Sequence, residues 1–161
     1  HMITENLSPL LDTSLFNNIT SELINWNYSL VEGAGFHLTS TGEKYGHIAL
    51  KIYKSEDYYN YVKWNIPKEQ MPPDFDFQRY VIKALDFFRL HLDALKGEPS
   101  QPLIFEICDV SFHLIDSIQY AYGIATIKAF VNCFDKSFNL SDYQKEMIKG
   151  AKKMMTDYYN K

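Results

Sequence analysis

The stretch DVSFHLIDS, residues 109–117, places Asp109, Ser111, His113 and Asp116 within eight positions. Serine, histidine and aspartate are the residue types of a nucleophile, a general base and the group that orients the base. Such a constellation is defined by geometry rather than by spacing. Ser and Asp are equally the residues of turns and helix N-caps. Three readings of His113 therefore stand side by side. It is a turn histidine bonded to Asp109, Asp116 or the backbone; it is a contact to nucleic acid or protein, together with its neighbour Phe112; or it is a catalytic base, which requires a partner and a positioned substrate within hydrogen-bond reach.

A second group lies upstream. Lys44 offers a charge to phosphate and Tyr45 offers a stacking face, although a surface lysine beside a half-buried tyrosine explains the pair equally well. His47 falls in an alternating strand and reads as structural, packing beneath a tip. Tyr53, Tyr58, Tyr59, Tyr61 and Trp64 form an aromatic series with few neighbouring lysines, which favours a protein interface or core over RNA. Lys149, Lys152 and Lys153 read as a solvated helix face, and Met147, Met154 and Met155 as its apolar side.

The bulk numbers bound what these residues can serve. The chain has 161 residues, 46% hydrophobic and 22% charged, which fits one folded domain. A net charge of −4 supplies no basic field for nucleic acid or anionic membrane, so any nucleic-acid contact must be local. Cys108 and Cys133 stand in apolar surroundings without a C-x-x-C, which fits reduced thiols in a cytoplasmic protein rather than a disulfide framework or a zinc site. No apolar run reaches the ~18 residues of a membrane helix, and no signal-peptide pattern is present. There is no phosphate-cradling G-x-x-x-x-G-K-[ST], no dinucleotide fingerprint and no standard hydrolase motif, so neither nucleotide nor other cofactor is expected.

The elements that must position these residues follow from periodicity. Apolar residues at three-to-four spacing predict a helix over residues 8–26. Strands are expected over 28–38, with Gly33 and Gly35 as interruptions, then over 46–53 and 59–66, linked by short turns as an antiparallel meander. Pro67, Pro72 and Pro73 end that region. A helix capped by Asp74 or Asp76 runs to Gly97, and a short strand covers 103–108. A helix capped by Asp116 or Ser117 runs to Phe134, and Ser141 with Gln144 forms a capping box for a last helix to Tyr158. The order is helix, three strands, helix, strand, two helices: α+β, with a mostly antiparallel sheet and helices on one face.

Several short blocks resemble domain IV of bacterial elongation factor G. Asp109, Ser111, Phe112, His113, Asp116 and Ser117, followed by Ala121, Ile124, Ala125, Ala129 and Phe130, match its D-G-S-Y-H-x-V-D-S and A-x-x-I-A-x-x-x-A-F. Tyr45-Gly46-His47 is similar to its F-G-H, and Ile66-Pro67-Lys68-Glu69 to its V-P-K-E, in the same order. The resemblance spans roughly residues 31–134 of a single domain, with 8–26 and 141–158 as added helices. It implies a ribosomal protein S5 domain 2-like fold with a left-handed β-α-β crossover. It also implies a tip formed by loops 40–45 and 109–116, carrying Lys44, Tyr45, His47, Asp109, Ser111, Phe112, His113 and Asp116, that contacts the ribosome, its RNA or tRNA. Where that family has a glycine-rich loop with an arginine, this chain has Thr39-Ser40-Thr41-Gly42-Glu43-Lys44, and Val110 stands where its glycine precedes the tip serine. No GTPase domain is present in the 161 residues. The expectation is a non-enzymatic, translation-factor-like binding module. The alternative is a protein-binding inhibitor, immunity or accessory protein on the same fold. A positive tip around Lys44 and His113 favours RNA; an acidic or apolar one favours protein.

Overall fold

The computed structural model describes residues 13–71 and 75–160. Residues 8–12 of the expected first helix, together with Pro72, Pro73 and the candidate cap Asp74, lie outside them. The rest of that first element is a 3-10 turn, Thr13–Ile19, followed by one turn of α-helix, α1 (Thr20–Ile24). Then come β1 (Val31–His37), β2 (Gly46–Lys54), β3 (Tyr61–Trp64), α2 (Gln78–Lys96), β4 (Leu103–Ser111), α3 (Gln119–Phe134) and α4 (Asp142–Tyr159).

The strands form one mixed four-stranded sheet in the order β1-β2-β4-β3. The expected meander is therefore incomplete. β1 and β2 pair antiparallel, but β3 leaves β2 and pairs in parallel with β4, as Tyr61↔Ile104 through Trp64↔Ile107. A parallel pair needs a long connection, and α2 is that connection. β4 takes the place beside β2, antiparallel, with His47 opposite Ser111 and Ile48 opposite Val110.

One face of the sheet carries α2 and α3. Ile48, Leu50, Ile52, Phe105, Ile107 and Val110 point there and meet Val81, Phe88, Leu92, Tyr122 and Phe130, all buried. The glycines of β1 are seats rather than interruptions. A Cβ on Gly35 would stand 1.8 Å from the Ala125 carbonyl oxygen, and one on Gly33 2.4 Å from that of Ala129. The α3 backbone thus rests directly on the strand, with alanines as its contact surface.

The other face is covered at one end by α4. Phe36, on the side of β1 away from α3, clusters with Tyr45, Ile148 and Ala151. Lys152 of α4 reaches Asp109 of β4. The expected capping box is formed: Ser141 accepts from the Gln144 amide at 3.1 Å, and the Gln144 side chain accepts from the Ser141 amide at 2.9 Å. The other expected caps are not. α2 starts after Phe77 and α3 after Ile118, neither with a side-chain cap, and Asp76 instead pairs with Arg79. Gly97 ends α2 at φ 73°.

The outer edge of β1 is closed by side chains from α3 and the turn after it. Asn132 Oδ1 accepts from the Ala34 amide at 2.9 Å, Lys136 donates to the Glu32 carbonyl at 2.7 Å, and Lys128 donates to the Phe36 carbonyl at 3.4 Å.

Candidate binding tip

β4 runs to Ser111, three residues beyond its expected end, so Asp109 and Ser111 are strand residues rather than loop residues. A β-bulge sets where they point. The register passes from Leu50↔Ile107 to Ala49↔Asp109, leaving Cys108 as the extra residue. Unbroken alternation would send Asp109 and Ser111 into the core with Ile107 and Phe105. The bulge turns both to the opposite face, beside His47 and under α4.

There they enter a buried polar network. Tyr45, His47, Ser111 and Phe112 have relative exposures of 0%, 1%, 2% and 3%. The Ser111 hydroxyl bonds the Tyr45 phenol and lies 2.8 Å from His47 Nδ1. Burial pushes the Tyr45 phenol up to about 12, so it keeps its proton. Burial also presses His47 down to about 4, against the pull of Asp109, so its imidazole is neutral. Tyr45, Ser111 and His47 thus form one continuous hydrogen-bonded chain. Phe112 packs edge-on against Phe75 and Phe77 and lies beside Tyr122.

The turn after β4 is tied down by its own polar residues. Ser117 Oγ accepts from the His113 amide at 2.7 Å and lies 3.0 Å from the Tyr122 hydroxyl, which donates to the Ser111 carbonyl at 2.7 Å. His113 Nδ1 accepts the amides of Ile115 (3.3 Å) and Asp116 (3.1 Å). The Tyr45 amide donates to the Asp116 carbonyl at 2.8 Å, which joins the two predicted tip loops.

Ser111, His113 and an aspartate therefore do not form a catalytic set. Ser111 is bonded to His47, while His113 Nδ1 faces the backbone amides of its own turn. Asp109 is held by Lys152 at 2.7 and 2.9 Å, which also corrects the reading of Lys152 as solvated. Lys153 is paired as well, with Asp157. Among the described residues no group of three His, Cys, Asp or Glu is placed to hold a metal, and no helix is long and apolar enough to cross a membrane.

Of the eight predicted residues, seven are thus brought together, but mainly as internal structure. Tyr45, His47, Ser111 and Phe112 are buried, Asp109 is ion-paired, and His113 is folded into the turn with 18% of its side chain exposed. Lys44 is exposed at the other loop, in the left-handed region at φ 60°. With Lys128 it adds to the burial that lowers His37 to about 4. Of the aromatic series, Tyr58 and Tyr59 are exposed, Tyr53 bonds Glu106 at 2.7 Å, and Trp64 packs edge-on against Phe77.

On the turn after β4 the exposed surface belongs mainly to residues the chemistry-led reading passed over. Ile115 is 84% and Leu114 41% exposed. Beside them a groove of about 330 Å³ is lined by Phe75, Phe112, His113, Leu114, Ser117, Met155, Tyr158 and Tyr159. The signal for it was present: two adjacent aliphatics inside a polar turn have no helical or strand period to bury them.

No protein-family model matches the chain, and no curated protein does. Among solved structures it is similar to the crystal structure of a protein from Thermus thermophilus, with 21% identity and a TM-score of 0.51 over 69% of this chain. The matched region is 16% of that protein's length, and at this identity the likeness is one of fold alone.

Proposed function

We propose that this domain is a non-enzymatic, cytoplasmic binding module of the domain IV-like, ribosomal protein S5 domain 2-like class, and that it engages another protein through the tip at Leu114 and Ile115. The observation that carries this reading is the inversion of the tip. The polar candidates of the turn after β4 are largely consumed internally, and Ile115 stands on that turn 84% exposed. An aliphatic residue held out of the core by a turn with its amides bonded is a cost in water that a protein interface removes. Phosphate backbones gain nothing from it. The test is a photo-crosslinking residue at position 115 in cells of the source organism. A discrete protein adduct, absent when the probe is moved to exposed Lys145 on α4, is the expected result. Adducts only to RNA, or none, would sink the reading.

A second reading keeps a contact with the small ribosomal subunit or structured RNA. It is favoured by Lys44 and Lys128, whose charges converge on His37, and by the motif resemblance to elongation factor G. It predicts co-sedimentation with small subunits that weakens steeply with salt and is lost in Lys44→Glu. Absence of association at low salt removes it.

A further inference from the structure

We infer that the outer edge of β3 receives an extended segment of a partner protein, which joins the four-stranded sheet as a further strand. This goes beyond the reading of the tip and stands on a different surface. β3 is last in the order β1-β2-β4-β3, so only one of its sides is paired. The Asn65 amide, just past the strand, donates to the Ile107 carbonyl at 2.9 Å. Backbone groups turn to alternate sides along a strand, so Tyr61 and Lys63 also direct theirs to β4. Those of Val62 and Trp64 point outward, and among the described residues they have no partner.

The two edges of the sheet thus differ. At β1 the outward groups are met by Asn132, Lys136 and Lys128. At β3 no described side chain does the same, and Val62 and Trp64 stay partly exposed although they pack on the core. An outward N–H and C=O at every second residue, about 7 Å apart, is matched by the backbone of another extended polypeptide. Phosphate groups accept but do not donate, so they would leave the two carbonyls unmet. The side chains give the segment its pattern. Val62 and Trp64 offer apolar surface on the α2 side, while Lys63 is exposed on the other face beside Glu106. The segment therefore carries apolar residues at alternate positions and polar ones between them. Just before the strand, Tyr58 and Tyr59 are 99% and 63% exposed, with the Tyr59 ring 5.7 Å from that of Tyr61. Exposed aromatics of this kind anchor protein interfaces. A second copy of this chain fits less well. The edge is four residues long, and pairing over about 13 Å is too short to bury the roughly 1,200 Å² of a stable dimer of folded domains. Each copy also carries a charge of −4. A flexible segment needs only the edge and the rings beside it.

The test is selection of a random dodecapeptide display library on the whole protein. Enriched peptides are expected to alternate apolar and polar residues. The best of them is then resynthesised with a single N-methyl group at each amide in turn. Methylation at every second amide should weaken binding about tenfold and methylation at those between by less than about threefold, because one set alone faces β3. Val62→Pro removes one outward donor and leaves the ladder to β4 intact, since an edge strand bears proline on its solvent side. It should weaken binding about tenfold while cooperative unfolding is kept. If that variant fails to fold, the methylation series on the unchanged protein decides alone. No enrichment, a flat methylation series, binding indifferent to a folded Val62→Pro variant, or a dimer that Val62→Pro abolishes would each overturn the inference. None of these outcomes touches the reading of the tip at Leu114 and Ile115, which the crosslink at position 115 decides.

Discussion

His47 is the residue where chemistry and stability meet most directly. It lies in the sheet interior, 1% exposed, with its imidazole neutral and pressed to about 4 by burial. In the unfolded chain it titrates near 6.5. Below that value the unfolded state takes up a proton that the folded state refuses. Stability is therefore complete above about pH 6.5 and is lost as pH falls toward about 4, by roughly 3 kcal/mol for this residue alone. His37 shifts in the same direction. Urea midpoints measured from pH 7 to pH 4 should fall steadily. His47→Asn, which keeps a hydrogen-bonding group beside the Ser111 hydroxyl, should flatten that fall measurably. An unchanged slope would mean that His47 is charged in the fold. The polar spacing of residues 109–117 marked the place where these groups gather, but not which of them meet. Ser111 and His113 are two apart and look like partners. The strand ends between them, and each finds a different imidazole or amide.

At the scale of elements, most of the order was readable because local period reports burial: the alternation of β2, the stripes of α2 and the capping box of α4 all appear where expected. What was not readable depends on residues distant in the chain. Nothing within 61–64 says that the strand will join 104–107 in parallel. The bulge at Cys108 reverses the faces of Asp109 and Ser111, so alternation alone misplaces them and ends β4 too early. The two β1 glycines could be seen but not explained until α3 was placed over them. They lead to a firm expectation. Gly35→Ala sets a methyl group against the Ala125 carbonyl, a backbone atom that cannot swing aside. It should cost about 3 kcal/mol or more in chemical denaturation, although alanine is commonly tolerated in strands. At the start of α4, Ser141→Ala should cost about 1 kcal/mol through loss of the cap, measured the same way.

For the whole molecule, the arrangement is a sheet with two helices on one face and a third laid across the other at the tip. α4 is fastened there by Ile148, Ala151 and the Lys152–Asp109 pair. That pair is about a third exposed on both sides, so a double-mutant cycle on Asp109→Asn and Lys152→Met should give a coupling of about 0.5–1 kcal/mol. A coupling near zero would leave the docking of α4 to its apolar side chains. The side chains that match the domain IV motifs, Tyr45, His47, Ser111, Phe112 and His113, are largely buried and hold this end of the molecule together.

The closure of β1 by Asn132, Lys136 and Lys128 has a consequence for how this protein fails. A bare outer strand is a template on which other chains can stack into fibrils. Here the guards of that template are borne by α3 and the turn after it, the same segment that seals the core. Any partial melting that frees α3 uncovers oily interior and sticky strand at one stroke. The folded molecule resists fibril growth along β1, while its half-open form is doubly exposed to it.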